Sequence, residues 1–160
     1  MKNFTKSISQ EMIQKAKNNF YKSDAPKSWK TILKSLKINV ILNKKFSSTA
    51  GRMSFIEYYS GMPFKDLTVF EGSLGKWFIE LNPKVVVNDS YYEILDLISH
   101  ELAHTLDFLV NAKSYRHFHN DNWKYIHKCM GGTTDQFYNK LYYLYNRKNL
   151  QTLLRTYQND

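Results

Sequence analysis

His100-Glu101-Leu102-Ala103-His104 is the stretch of this sequence whose residue types and spacing declare a chemistry. Side chains four apart on a helix rise from one face, one turn apart, so both imidazoles can reach a single cation about 2.0–2.1 Å away. Glu101, one step round the helix, falls beside that cation and not on it. There a carboxylate can take the proton of a water whose pKa the cation has lowered, then pass it to a leaving amine. The pattern predicts metal-assisted hydrolysis of peptide bonds. Such sites take three protein ligands and leave a fourth position open, and the sequence narrows the third. No glutamate follows Glu101, and Asp107 and Val110 stand where a common three-histidine spacing requires Gly and His. Asp107, His117, His119, Asp121, His127 and Asp135 remain, in a chain whose five histidines all lie between 100 and 127.

The motif needs a helix beneath it. Ile94, Leu95, Ile98, Leu102, Leu106 and Leu109 recur at helical spacing and predict one buried stripe. Ser90 followed by Glu93 is a capping box that starts this helix after Asn88-Asp89. Upstream the period is two: Ile38, Val40 and Leu42; then Met53 and Phe55, extended towards Glu57-Tyr58-Tyr59; then Lys76 to Asn82, stopped by Pro83. Helical spacing is also expected over 7–22, after Pro26 through Leu36, over 120–130, and from about 134 to 157 with a break near Asn149. The expected fold class is α+β: a small zincin-like domain, its sheet of about three strands packed on helices that include the H-E-x-x-H helix.

The chain has 160 residues, 42% of them hydrophobic, with 25 aromatics and 23% charged residues. That composition excludes a disordered chain and is expected to make one domain over 1–160. Its parts would be a basic helical segment (1–36), the sheet and catalytic core (37–131), and C-terminal helices (132–160). The absence of a long apolar run or a signal-like N-terminus predicts no membrane span and a cytoplasmic protein, with nucleoid association as a further option. Cys129 alone can form neither an internal disulfide nor a zinc ribbon. Charge is segregated: residues 1–50 carry eleven lysines against Glu11 and Asp24, residues 51–110 are net −5, and residues 111–160 are net +5. Two basic ends around an acidic middle suit either a solvated lysine face or a phosphate-backbone contact away from the chemistry.

Residues 100–131, HELAHTLDFLVNAKSYRHFHNDNWKYIHKCMG, resemble the SprT-like (Spartan-like) zinc metallopeptidase family, in which the helix motif is followed by a loop and an H-G-x-x-W/F segment. Thr49-Ala50-Gly51-Arg52 and Ile79-Glu80-Leu81-Asn82-Pro83 are similar to the family's A-G-R and I-x-L-N-P signatures, so the likeness runs over roughly 35–131. The resemblance implies His100, His104 and His119 as ligands of one Zn2+ per chain, Glu101 as general base, and Trp123 as the aromatic four residues after the third ligand. It implies a protein substrate bound or crosslinked to DNA. Asn120 departs from the family's Gly, and the zinc ribbon is missing, as for a minimal catalytic domain.

Other residues carry two readings each. Asp107 could orient a ligand imidazole or be an exposed helical acid, and Asp96, one turn before His100, shares that ambiguity. Trp123 could be core packing that holds the His119 loop. His117 reads as a loop histidine, His127 as a partly buried surface histidine, and Cys129 as a buried small hydrophobe. Tyr115 and Arg116 could stabilise an oxyanion. Segment 76–82 could be an exposed edge strand that aligns a peptide, or an ordinary inner strand. The stretch 137–157, with Lys140, Arg147 and Lys148 among many tyrosines, could stack and neutralise nucleic acid, with single-stranded or junction DNA preferred. A monomer is the default. Two alternatives to the DNA-linked protease stand: a phage-encoded or host-directed protease with one protein target, and a DNA-binding module with a structural zinc.

Overall fold

The computed structural model describes residues 1, 3–46, 49–55, 76–111, 119–133 and 146–159. Its elements run α1 (Lys6–Lys22), α2 (Lys27–Ser35), β1 (Lys37–Leu42), β2 (Gly51–Phe55), β3 (Lys76–Leu81), α3 (Pro83–Val86), α4 (Tyr91–Val110), α5 (Asp121–Cys129) and α6 (Arg147–Asn159). The fold is α+β, with a three-stranded sheet among helices.

The sheet has the order β1-β3-β2. β3 pairs parallel with β1, in the register Val40 to Ile79, and antiparallel with β2, in the register Met53 to Ile79. This corrects the edge-strand reading of residues 76–82: both sides of β3 are taken, so its backbone has no free edge for a peptide. Alternation puts Ile38, Val40, Met53, Trp77, Ile79 and Leu81 in the core. The outer edge of β1 is covered by side chains, as Gln10 Nε2 donates to the Ile38 carbonyl at 3.0 Å and the Tyr157 hydroxyl donates to that of Val40. Such capping stops the edge from recruiting another strand.

α4 is the axis of the molecule. Its capping box forms as the sequence predicts, with Ser90 accepting from the Glu93 amide and Glu93 accepting from the Ser90 amide. Ile94, Ile98, Leu102 and Leu106 are fully buried, each contributing about 1.5–3 kcal/mol of hydrophobic free energy. Leu95 and Leu109 lie half-buried at the margin of the stripe. Trp77 of β3 meets Phe108 of α4 at 5.7 Å between ring centres.

One element is absent from the sequence reading. A short helix, α3, follows β3 directly. Asn82 caps it by accepting from the Lys84 amide, and Pro83 fills the first position, where its missing N–H costs nothing. Asn82 also donates to the Thr49 carbonyl at 3.1 Å, tying the end of β3 to the approach to β2. The break expected near Asn149 lies three residues earlier, where Asn146 is not helical and α6 starts at Arg147. The strand expected through Glu57-Tyr58-Tyr59, and the helix expected from 134 to 145, fall outside the described residues; β2 is described to Phe55. No described helix is long and apolar enough to cross a membrane.

Candidate metal centre

His100 and His104 project from α4, and His119 stands just before α5. One ligand atom from each comes within 4.8 Å of the others, and His119 Nε2 lies 3.1 Å from His100 Nε2. Tetrahedral zinc with bonds of 2.0–2.1 Å holds its nitrogens about 3.3 Å apart, so the three imidazoles fit such an ion in both chemistry and spacing. His104 is buried, His100 half-buried and His119 exposed, which leaves the cluster open on one side.

Glu101 is buried against β2. A Cβ at Gly51 would stand 3.4 Å from Glu101 Cγ and 3.2 Å from the Glu80 carbonyl oxygen, so the glycine lets helix and strand close on each other here. The Met53 amide donates to the Glu101 carboxylate. Burial pushes the Glu101 carboxyl up to about 8, and the Met53 N–H opposes that rise. Its Oε1 lies 3.9 Å from His100 Nε2. A cation among the three imidazoles would supply the positive charge that returns this buried group to the carboxylate form.

The third histidine is placed through its neighbours. Asn120 accepts from the Trp123 amide at 2.8 Å, which caps α5, and its Nδ2 stands 3.5 Å from Asp107 Oδ2 on α4. Trp123 is buried, and its indole Nε1 donates to the His100 carbonyl at 3.2 Å. Its ring lies 4.2 Å from that of His119, 4.7 Å from His100 and 5.1 Å from His104. Packing of the core and placement of the ligands thus meet in one side chain.

Asp107 is buried, 1% exposed, which removes the reading of an exposed acid. It faces Asn120 and so acts on the segment that carries His119. His127 corrects the surface expectation: on α5 it is 1% exposed, with its Nε2 3.3 Å from Asp96 Oδ1 of α4. Cys129 is half-buried. Tyr115, Arg116, His117, Asp135 and Lys140 lie outside the described residues. Arg147 and Lys148 are exposed at the start of α6. That helix packs on α3, with its Tyr157 stacked on Phe4, and it is not part of the histidine cluster. The sequence reading missed the backbone partner Met53 and the close approach at Gly51; no spacing rule signals either, because both depend on how β2 meets α4. Asn120 as a cap was open to detection, since Asn-Asp before helical spacing is a start signal.

A family model described as the SprT-like family matches residues 9–143, most of the chain. No curated protein and no solved structure matches it.

Proposed function

We propose, for a chain that belongs to the SprT-like family and is a zinc metalloendopeptidase, that its substrates are proteins bound or crosslinked to DNA. In this reading His100, His104 and His119 hold one zinc per chain and Glu101 is the general base. The observation that carries it is the convergence of three imidazoles beside a buried carboxyl.

Zinc held there would polarise the scissile carbonyl and lower the pKa of a water. Glu101 receives the proton at its carboxylate, which the Met53 amide and the close wall at Gly51 hold in place. The same carboxyl then gives the proton to the leaving amine nitrogen. His104, buried under Trp123, fixes one side of the centre, while the exposed His119 side admits an extended chain.

The DNA part of the reading is supported by charge. Lys6, Lys15, Lys22, Lys27, Lys34 and Lys37 are exposed on α1, α2 and the start of β1, and Arg147, Lys148 and Arg155 on α6. Neutralising Z phosphates makes log affinity fall with log salt at a slope of roughly −0.9Z on duplex and −0.7Z on single strands. The test is cleavage of a DNA-binding protein with no DNA, single-stranded DNA or duplex, beside Glu101→Gln. Cleavage that rises with DNA, most with single strands, and vanishes in the variant is expected. Cleavage indifferent to DNA, with no salt-dependent binding at low ionic strength, would remove DNA from the reading and favour a protease with one protein target.

A further inference from the structure

α4 and α5 run antiparallel, and their contacts form a ladder: Asn120 opposite Asp107, Trp123 opposite His100, and His127 opposite Asp96. The first two rungs touch the metal centre. The third lies one turn further along α5, away from His119, and the chemistry described above makes no use of it.

This rung is built with care. His127 is 1% exposed, and its Nε2 stands 3.3 Å from Asp96 Oδ1. Neither ring nitrogen makes a hydrogen bond among the described residues, the Asp96 carboxylate being near Nε2 but not in bonding geometry, an uncommon state for a buried imidazole. The chain beyond α5 wraps the imidazole. The Gly131 amide donates to the Lys128 carbonyl and the Gly132 amide to that of His127, closing the helix with Gly131 at φ +85°. A Cβ at Gly132 would fall 2.0 Å from His127 Nε2, so only glycine fits there. The next amide, that of Thr133, donates to Asp96 Oδ1 at 3.1 Å. Asp96 thus lies against the ring and accepts a hydrogen bond from the segment folded over it.

What the rung holds is Trp123. The His127 ring lies 4.8 Å from the indole at 26° between planes, and the His104 ring lies 5.1 Å from the same indole, also at 26°. His127 is also 5.7 Å from the His100 ring. Flat rings stacked in this way transmit a displacement, because close-packed interiors have little slack to absorb one. We propose that Asp96 and His127 are positioning residues for the metal centre: they fix the Trp123 indole, and through it His100, His104 and His119. The inference rests on reading those three histidines as the metal ligands.

Cobalt tests it, since Co2+ in a zinc site reports ligand geometry through its visible d–d absorption. In the full chain, His127→Ala is expected to change the band and to raise the zinc Kd about tenfold, as for other groups that orient metal ligands. His127→Phe keeps a flat ring against Trp123 and is expected to recover most of both. Met12→Ala, in the core on α1, is the control: it lowers Tm and leaves band and Kd alone. Should His127→Ala fail to fold, Asp96→Ala carries the same expectation at a less buried position. An unchanged band and Kd in either folded variant overturns the inference alone. A wild-type protein that takes up neither cobalt nor zinc overturns the metal reading, and the inference with it.

Discussion

The two sides of α4 are held by different physics. Towards the sheet the contact is apolar: Trp77 of β3 meets Phe108, and Leu102, Leu106, Ile79 and Leu81, all fully buried, belong to the same core. Towards α5, the contacts are directed: Trp123 Nε1 to the His100 carbonyl, Asn120 to Asp107, Thr133 to Asp96. Apolar burial scales with area and tolerates small shifts, whereas a metal ion needs its ligand atoms within a few tenths of an ångström. The apolar side therefore contributes stability, and the α5 side sets the geometry. Glu101 is the exception that sharpens the contrast, because it is a chemical group placed on the sheet side, beside Gly51 and Met53.

The largest expected effect follows from that exception. Glu101→Gln should lower turnover on the order of 10²- to 10⁴-fold, the range general bases supply. Zinc content should stay near that of the wild type, since Glu101 is outside the three-histidine cluster. Elemental analysis beside a peptidase assay decides it: a variant that loses zinc would move Glu101 into the coordination shell. Next comes a change confined to the sheet side. Ile79→Ala at the centre of β3 should cost about 2–5 kcal/mol in denaturant unfolding, while the zinc Kd of the folded fraction stays unchanged. A large loss of zinc affinity there would show that the two sides of α4 are not separable.

The buried Glu101 carboxyl predicts a pH effect in the zinc-free protein. Burial pushes the Glu101 carboxyl up to about 8 from an ordinary 4.5, with the Met53 N–H and His100 Nε2 as its polar neighbours. Between those values the folded chain keeps a proton that the unfolded chain has released. The stability present below pH 4.5 therefore falls as pH rises, and levels out above pH 8. Thermal melts of chelator-treated protein at pH 5 and pH 8 should show the fall, and Glu101→Gln should remove this component of it. Added zinc should oppose the fall, since a nearby cation favours the carboxylate and zinc binds the imidazoles more tightly as pH rises.

How much of this could be read from the sequence follows the same division. α4 was legible down to its capping box, because period, cap and motif are local. So were the alternating strands, but not their order. The placement of β3 between β1 and β2 depends on pairings between segments far apart in sequence, which no local period encodes. The metal ligands on α4 followed from spacing alone, whereas His119 needed the family resemblance, because six residues satisfied the chemistry equally. His127 was misread as a surface group: on a short helix its burial is decided by the turn at Gly131 and Gly132 that closes over it.

The smallest expected effect tests the directed side by a single contact. Asn120 does two things, capping α5 through the Trp123 amide at 2.8 Å and reaching Asp107 at 3.5 Å, and the second contact is long enough to be weak. Asn120→Ala removes both, and should cost about 1 kcal/mol of stability, as the loss of a cap does. Asn120→Ser retains a capping oxygen but is too short to reach Asp107. If the cap matters only for stability and the Asp107 contact for geometry, the serine variant should melt like the wild type and still bind zinc a few-fold more weakly. Isothermal zinc titrations of the three proteins, beside their melts, separate the two roles. Serine matching wild type in both measurements would mean that His119 is placed by the cap and Trp123 alone, leaving Asp107 without a part in the centre.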